Sequence, residues 1–291
     1  MRKLVFLFLP FLILSCSDPQ RYVHKAVGIM SKEGLYAEGV QWDSAKNAAL
    51  KSNPETMEDA YSVVREALKL AGGKHSFLSP ANRVAEDNVR EWEMPSVTML
   101  DNNIASVKLP PFHGNKEEGL RYANAVLEGI PDDISGIIID LRGNVGGDMY
   151  PMIAAVHRFI PDGNDMLRFK TRKRTSWIPR SFVLNAVGVA EKQFLDCPVA
   201  ILTDSLTASS GEATLLCFRG LENVKTFGCP TAGYASSNCP YAMPDGSSLV
   251  LTTGCDVART NEVFCDDPIA PDIATDNPET DAMSWLLNFD K

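Results

Sequence analysis

The chain has 291 residues, of which 45% are hydrophobic and 22% are charged, with 20 glycines and 18 prolines. These are the proportions of an ordinary globular protein, which excludes collagen-like, coiled-coil and intrinsically disordered chains. The formal net charge of −9 and the lack of a long basic tract argue against nucleic acid as a partner.

The first sixteen residues read MRKLVFLFLPFLILSC and differ in character from the rest of the chain. Two basic residues precede an apolar run that has the length of a signal-peptide hydrophobic region and is too short to span a membrane. The run ends at Ser15-Cys16, which resembles a bacterial lipobox, where the signal peptide is cut before a cysteine that carries lipid. We therefore predict a signal peptide over 1–15, a lipid on Cys16 and a tether over 16–22. This predicts an exported lipoprotein of the bacterial cell envelope; the alternative is an ordinary signal peptide with an incidental cysteine.

Helical signals dominate the N-terminal region, which we assign to 23–95. A first helix is predicted over 42–51, because the pair Asn53-Pro54 breaks it. A second helix is predicted over 56–72. Thr56 with Asp59 resembles a capping box at its start, and Gly72-Gly73 is typical of a helix end. Residues 79–95 are polar and irregular.

Strands and helices alternate over 96–291, the predicted catalytic core, and this pattern is typical of an α/β fold. The predicted elements are strands at 104–109, 136–141, 167–174 and 198–203, helices at 115–130, 150–160 and from 209, two hairpins, and a helix from 278. Four basic side chains share one face of the strand at 167–174, which predicts an edge strand with a solvated basic face. The hairpins turn at Asp245-Gly246 and around Thr260.

Six of the seven cysteines lie in the last third of the chain, and an even number in an exported protein allows disulfides. Cys255 and Cys265 stand at equal distances on either side of Thr260, so antiparallel pairing brings them opposite each other. Cys229 and Cys239 bracket a loop in a similar way. Buried free thiols are the alternative for both pairs. No cysteine or histidine cluster has the spacing of a metal site, and we expect neither a metal nor another cofactor.

Ser209 joins an apolar strand to a helix through a run of small residues. Backbone N–H groups and the positive end of the helix lie beside such a serine and would stabilise an oxyanion formed at its acyl group. The same residues also fit a plain helix cap, with Ser209 as N-cap and Glu212 as its capping-box partner. Local interactions alone favour the helix cap over a catalytic role for Ser209.

Two other segments contain glycines or a histidine that could take part in ligand binding or catalysis. The strand at 136–141 opens into RGNVGG, whose glycines allow backbone N–H groups to approach a ligand. It is not a phosphate loop, because no Gly-Lys-Ser/Thr follows. His75 lies directly after the second helix, although an isolated histidine is more often structural than catalytic.

Taken together in the order in which they occur along the chain, these segments resemble the carboxyl-terminal processing (tail-specific) serine peptidases and their tricorn-core relatives. The resemblance covers about 42–273, and its carriers are GKHS, the strand at 104–109 with PPF, IIIDLRGNVGG, TASSGEA, TAGYASSN, MPDGSSLVLTT and PIAPDI. It implies an α/β (α+β) fold with a crotonase- or Clp-protease-like ββα core, preceded here by the small helical N-terminal region.

The resemblance also implies the roles of individual residues. Ser209 matches the nucleophile, and His75 matches the histidine that tricorn-like members use as a base. Glu212 matches a glutamate that supports the site through hydrogen bonds. The backbone N–H groups that match the oxyanion donors are those of Gly146 or Gly147 and of Ser210.

The chain departs from the family pattern at three points. Tyr234 stands where processing peptidases carry a catalytic lysine, so a serine–lysine dyad is not expected. The carboxylate that tricorn-like members place near the histidine falls at Cys265, with Asp266 and Asp267 beside it, and Asp267 is our candidate. The stretch 78–103 is too short for the PDZ domain that many relatives insert, because a domain needs about 50 residues or more.

The sequence thus predicts an exported, lipid-anchored serine endopeptidase that cleaves envelope or extracellular proteins through an acyl-enzyme. Its partners are a peptide or protein substrate and, through the lipid on Cys16, a membrane; the oligomeric state is left open. The missing lysine and Cys265 favour one alternative, a catalytically degenerate member that only binds peptides or envelope ligands. An acyl-CoA enzyme of the crotonase type is disfavoured, since coenzyme A is not expected outside the cytoplasm.

Overall fold

Three helices form the N-terminal region of the computed structural model, which describes residues 18–81, 92–161 and 166–289. They are α1 Pro19–Glu33, α2 Gly39–Lys51 and α3 Met57–Gly72. The predicted capping box of Thr56 and Asp59 starts α3, and Gly73, with a φ of 67°, ends it. Within the described ranges, no helix has the length and apolar character needed to cross a membrane.

Helix α1 was not predicted from the sequence. It overlaps the tether expected over 16–22, because Pro19 opens the helix and Tyr22 is completely buried. Its buried residues recur at helical spacing and pack on α2, α3 and β10 of the core, whose bounds are given below. The polar residues between them conceal this stripe in the sequence. The signal peptide and Cys16 lie outside the described residues.

The alternation of strands and helices predicted beyond residue 96 is present. The described strands are β1 Phe77–Ser79, β2 Ser96–Leu100, β3 Ile104–Lys108, β4 Gly136–Asp140, β5 Leu167–Thr171, β6 Thr175–Ile178, β7 Val199–Thr203, β8 Val224–Gly228, β9 Ser236–Ala242, β10 Ser248–Val257, β11 Val263–Phe264 and β12 Ile273–Ala274. The remaining helices are α4 Lys116–Gly129, α5 Met149–Val156, α6 Arg180–Val187, α7 Ser210–Leu216 and α8 Pro278–Leu287. The mixed α/β fold class is confirmed.

A largely parallel sheet brings the predicted oxyanion loop next to the predicted nucleophile. Its strand order is β12-β8-β7-β4-β3-β2, and only β2 is antiparallel to its neighbour. Strands β4 and β7 are adjacent and parallel, so their carboxyl ends lie at the same edge. The loop 141–147 leaves β4 there, and the segment that carries Ser209 leaves β7. This is where parallel sheets commonly form ligand sites.

A second, antiparallel sheet is built around the long strand β10. Its main path is β1-β10-β5-β6, and β9 and β11 also pair with β10. The prediction of an edge strand at 167–174 is therefore wrong, since β5 lies between β10 and β6, and β6 forms the edge. The basic face of β5 is partly covered, because Arg168 stacks on Trp177 with its Cζ 5.0 Å from the ring centroid.

The structure contains the predicted disulfide between Cys255 and Cys265, with Cα atoms 4.6 Å apart. Strands β10 and β11 pair antiparallel across the predicted turn, which places the two cysteines opposite each other. The second predicted pair is wrong, because Cys229 and Cys239 are free and exposed. Cys239 lies on β9 of the antiparallel sheet, whereas Cys229 follows β8 of the parallel sheet, so the loop between them does not act as a hairpin.

We expect the disulfide to stabilise the protein by restricting the unfolded chain. Closing a loop with a sequence separation of 10 corresponds to about 2–3 kcal/mol in the chain-entropy description. Changing both Cys255 and Cys265 to alanine should lower the free energy of unfolding in urea by about that amount. The matched control changes Cys229 and Cys239 to alanine and should stay within about 0.5 kcal/mol of the parent. Equal effects of the two pairs would contradict this.

Candidate active site

Ser209 adopts a strained backbone conformation at the start of α7. Its φ is 52° and its ψ is −114°, and a positive φ in a residue other than glycine costs about 1–3 kcal/mol. The strain is held by a hydrogen bond from the Ser209 N–H to Glu212 Oε2 at 2.9 Å. A serine presented on a sharp strand-to-helix turn is typical of a nucleophile.

Glu212 is completely buried and holds the site together as an acceptor. Besides the Ser209 N–H, its carboxylate accepts the N–H groups of Gly233 at 2.9 Å and Tyr234 at 2.7 Å and the hydroxyl of Thr231. Burial raises the pKa of Glu212, and these hydrogen bonds oppose that effect. With both carboxylate oxygens engaged, Glu212 positions Ser209 and the loop 231–234 and does not itself face a substrate.

The glycine loop after β4 packs directly against Ser209. A Cβ atom on Gly146 would lie 2.8 Å from Ser209 Cβ, so only glycine permits this approach. The Gly146 N–H is donated to Asn144 Oδ1 at 2.9 Å, and Asn144 Nδ2 in turn donates to Leu109 O at 2.8 Å. Gly146 is thus committed to holding the loop and is not an oxyanion donor.

Gly147 and Ser210 remain as the candidate oxyanion donors. Ser210 is the first residue of α7, so its N–H has no partner within the helix. Its hydroxyl donates to Gly147 O at 2.5 Å and thereby ties the glycine loop to the helix. The two residues belong to different elements and line the same cavity as Ser209, which is compatible with an oxyanion hole.

His75 lies in the turn between α3 and β1 and is held by β9. Its Nδ1 hydrogen bonds with Ser236 Oγ at 2.9 Å, and its carbonyl accepts a hydrogen bond from Asn238 Nδ2 at 3.0 Å. The ring also packs edge-on against Tyr234, with ring centroids 5.2 Å apart. With Nδ1 engaged by Ser236, Nε2 is the nitrogen left to accept a proton.

His75 and Ser209 line the same cavity, which has a volume of about 420 Å³. The predicted donors Gly147 and Ser210 line it as well. In the described ranges, no group of three or more His, Cys, Asp or Glu side chains is placed to hold a metal ion. The cavity therefore combines a serine, a histidine and two backbone donors, which is the set of groups needed for acyl transfer.

Residues 103–275 match the family model of peptidase family S41. Over 278 residues, the chain is also 32% identical to the nisin-resistance protein of Lactococcus lactis, a match that covers 92% of this chain and 87% of that protein. The chain belongs to peptidase family S41.

One further relative and two solved structures also resemble the chain. The carboxy-terminal processing protease CtpA of Bacillus subtilis is 25% identical over 189 residues, and the chain spans only 38% of that longer protein. A structure of a lipoprotein from Streptococcus agalactiae superposes with a TM-score of 0.83 at 28% identity, covering 98% of this chain and 99% of that one. The photosystem II D1 C-terminal processing protease has a TM-score of 0.63 at 12% identity, with 89% and 94% covered, and shares the fold.

The structure does not bring Asp267 to His75. Asp267 is exposed and is not among the described residues that line the cavity, and the partner of His75 Nδ1 is the hydroxyl of Ser236. The neighbouring Cys265 is committed to the disulfide. Asp267 is therefore not the orienting group, because that place at the histidine is taken by a neutral side chain.

Ser236 lies in the segment TAGYASSN, but nothing in the sequence indicates a role for its side chain. Its side chain can be assigned only once β9 is known to lie beside His75. Tyr234, at the place of the lysine of processing peptidases, packs against the histidine and stacks under Lys74, whose Nζ lies 4.6 Å from the ring centroid. A serine–lysine dyad is absent at this position of the S41 fold, as the sequence indicates.

The pH dependence of any S41 peptidase activity should reveal the buried histidine. Burial, together with the positive charge of Lys74, lowers the pKa of His75 to about 4. A base must be neutral, so we expect kcat/KM to fall only as the pH drops through about 4, not near the ordinary histidine value of about 6.5.

Lys74→Gln removes a positive charge that disfavours the imidazolium. It should therefore raise the pKa of His75 and move the acidic limb to higher pH, whereas the same change at the exposed Lys225 of β8 should leave it in place. Circular dichroism at each pH separates this shift from unfolding. An acidic limb that does not respond to Lys74 would show that another group titrates.

Proposed function

We propose that the chain is an exported, lipid-anchored serine endopeptidase that hydrolyses peptide bonds through an acyl-enzyme. The observation that carries the proposal is the cavity that Ser209 and His75 share with the candidate oxyanion donors Gly147 and Ser210. Membership of peptidase family S41 supports a peptidase-type function.

In the proposed mechanism, His75 Nε2 takes the proton of the Ser209 hydroxyl as Ser209 Oγ attacks the peptide carbonyl. The N–H groups of Gly147 and Ser210 hold the oxyanion of the tetrahedral intermediate. As the intermediate collapses, the C–N bond breaks and the imidazolium returns its proton to the leaving amine. Water then attacks the acyl-enzyme by the same route, which frees the carboxylic acid and restores Ser209.

The hydroxyl of Ser236 takes the part that a carboxylate plays in the Ser-His-Asp triad. It fixes the ring orientation of His75 through Nδ1, but it adds no negative charge to stabilise the imidazolium. The base is correspondingly weak, and it is neutral at all physiological pH values. Most of the rate enhancement then comes from two other sources, which are the positioning of Ser209 by Glu212 and the stabilisation of the oxyanion by its donors.

Peptides outside the cytoplasm are the proposed substrates, including antimicrobial peptides of the nisin kind. The name of the 32% identical relative links that protein to nisin resistance. Nisin is therefore the first peptide to test, with its fragments identified by mass spectrometry.

A serine-directed fluorophosphonate and a set of fluorogenic peptides test the proposal together. Ser209→Ala should abolish labelling, and both Ser209→Ala and His75→Ala should lower kcat by roughly 10³-fold or more, since residues of one catalytic unit act together. Tyr234→Phe, which keeps the ring against His75, is the control for damage to the surrounding packing and should retain labelling.

The same experiment tests the alternative that the chain is a catalytically degenerate protein that only binds peptides. The uncharged partner of His75 and the disulfide at Cys265 favour that alternative. Binding of peptides without turnover, and without labelling of Ser209, would establish it. Near-normal turnover by folded His75→Ala would instead remove the histidine from the mechanism.

The lipid anchor is proposed from Ser15-Cys16 and is supported by the structural similarity to a protein described as a lipoprotein. We expect Cys16→Ala to leave the signal peptide uncut or to release the protein from membranes, because no thiol remains to receive lipid. Cell fractionation and the intact mass of the mature chain measure this, with Cys229→Ala as the matched control. Unchanged membrane association and processing of Cys16→Ala would refute the anchor.

A further inference from the structure

The cavity that holds Ser209 and His75 carries a single carboxylate among its described lining residues, that of Asp148. No lysine or arginine is found among those lining residues, and the imidazole of His75 is neutral at pH 7. The described wall of this cavity therefore bears one negative charge, and Lys116 lines a separate pocket on the other side of Asp148.

Asp148 directly follows the oxyanion donor Gly147 and caps α5. Its Oδ1 accepts the Tyr150 N–H at 2.9 Å, and its backbone N–H is donated to Phe112 O at 2.8 Å, which fixes the residue at the cavity wall. Partial burial raises the pKa of the carboxyl group, and the hydrogen bond from Tyr150 opposes this.

Four large apolar or aromatic side chains line the same cavity as this carboxylate. Phe169 and Ile178, from β5 and β6, line the cavity together with Met149 and Tyr150, which follow Asp148 in the chain. An apolar wall that ends at a carboxylate suits a lysine or arginine side chain, because the aliphatic stem packs on the wall and the cationic head reaches the charge. The charge pair adds a Coulombic attraction that an uncharged side chain of the same shape lacks.

We propose that Asp148 is a specificity-determining residue that selects peptides carrying a lysine or arginine side chain close to the scissile bond. The proposal rests on the proposed peptidase function, since it places the substrate in the cavity of Ser209. It narrows the substrate class to cationic peptides. The place of Asp148 beside Gly147 puts the selected side chain next to the carbonyl that the oxyanion donors would hold.

Peptide hydrolysis provides the first test. A series of fluorogenic peptides carries lysine, norleucine or glutamate at each position around the cleaved bond. At one position or more, the unmodified enzyme should cleave the lysine peptide with a kcat/KM about tenfold or more above its norleucine analogue, which has a similar stem and no charge. Asp148→Asn should bring that ratio close to one. Asparagine keeps the helix cap, so the fold should survive the change.

Cys239 provides a second test that needs no turnover. This free thiol is exposed and lines the same cavity, whereas the exposed Cys229 is not among its described lining residues. In a Cys229→Ser background, a cationic trimethylammonium methanethiosulfonate should react with Cys239 faster than an anionic sulfonate analogue. We expect Asp148→Asn to reduce the ratio of the two rates by about threefold or more. Any change in the pKa of the thiol affects both reagents equally and cancels in this ratio.

The matched control keeps Cys229 and changes Cys239 to serine, and its rate ratio should not respond to Asp148→Asn. A lysine preference that persists in Asp148→Asn, or one that is absent at every position, overturns the proposal. If no peptide is cleaved and Ser209 is not labelled, the peptidase function fails instead. In that case, the rate ratio at Cys239 decides by itself whether Asp148 sets the charge of the cavity.

Discussion

The buried carboxylate of Glu212 is the interaction on which the candidate site depends. It accepts the N–H of Ser209 on one side and those of Gly233 and Tyr234 on the other. One side chain thus holds the strained serine and fixes the loop that leads into β9. A buried charge is costly unless its hydrogen bonds are made, and here the protein supplies all of them from the backbone and the hydroxyl of Thr231.

The two sheets contribute different halves of the site. The parallel sheet supplies Ser209 and the glycine loop from the adjacent ends of β7 and β4. The antiparallel sheet supplies Ser236 on β9, and the turn that leads into its strand β1 supplies His75. The loop 231–234, tied to Glu212, connects the halves. The disulfide lies at the same junction, since Cys255 pairs in register with Ser236. Where tricorn-like relatives are expected to place a carboxylate, this chain has a covalent link and leaves a hydroxyl to orient the histidine.

Much of the fold could be predicted from local signals. Capping residues, glycine stops and apolar periodicity located α3, α4 and the buried strands to within a few residues, because these signals act over one turn or one strand. Helix α1 was missed, since its apolar stripe is broken by polar residues and becomes visible only when Tyr22 is seen packed on the core. Strand β5 was assigned to an edge because its basic face looked solvated, and only the position of β6 shows that it is internal.

By itself, the sequence predicted the register of Cys255 with Cys265 from one short segment, and it singled out Ser209, the glycine loop and His75 as candidates through the order of motifs that the chain shares with a peptidase family. Only the tertiary structure decided which group orients His75, which glycine N–H is free, and that Asp148 is the carboxylate in the cavity. These properties depend on neighbours far apart in the chain: Ser236 meets His75 across 161 positions. Hydrogen-bond partners and burial are set by how the two sheets pack, and no local pattern specifies that contact.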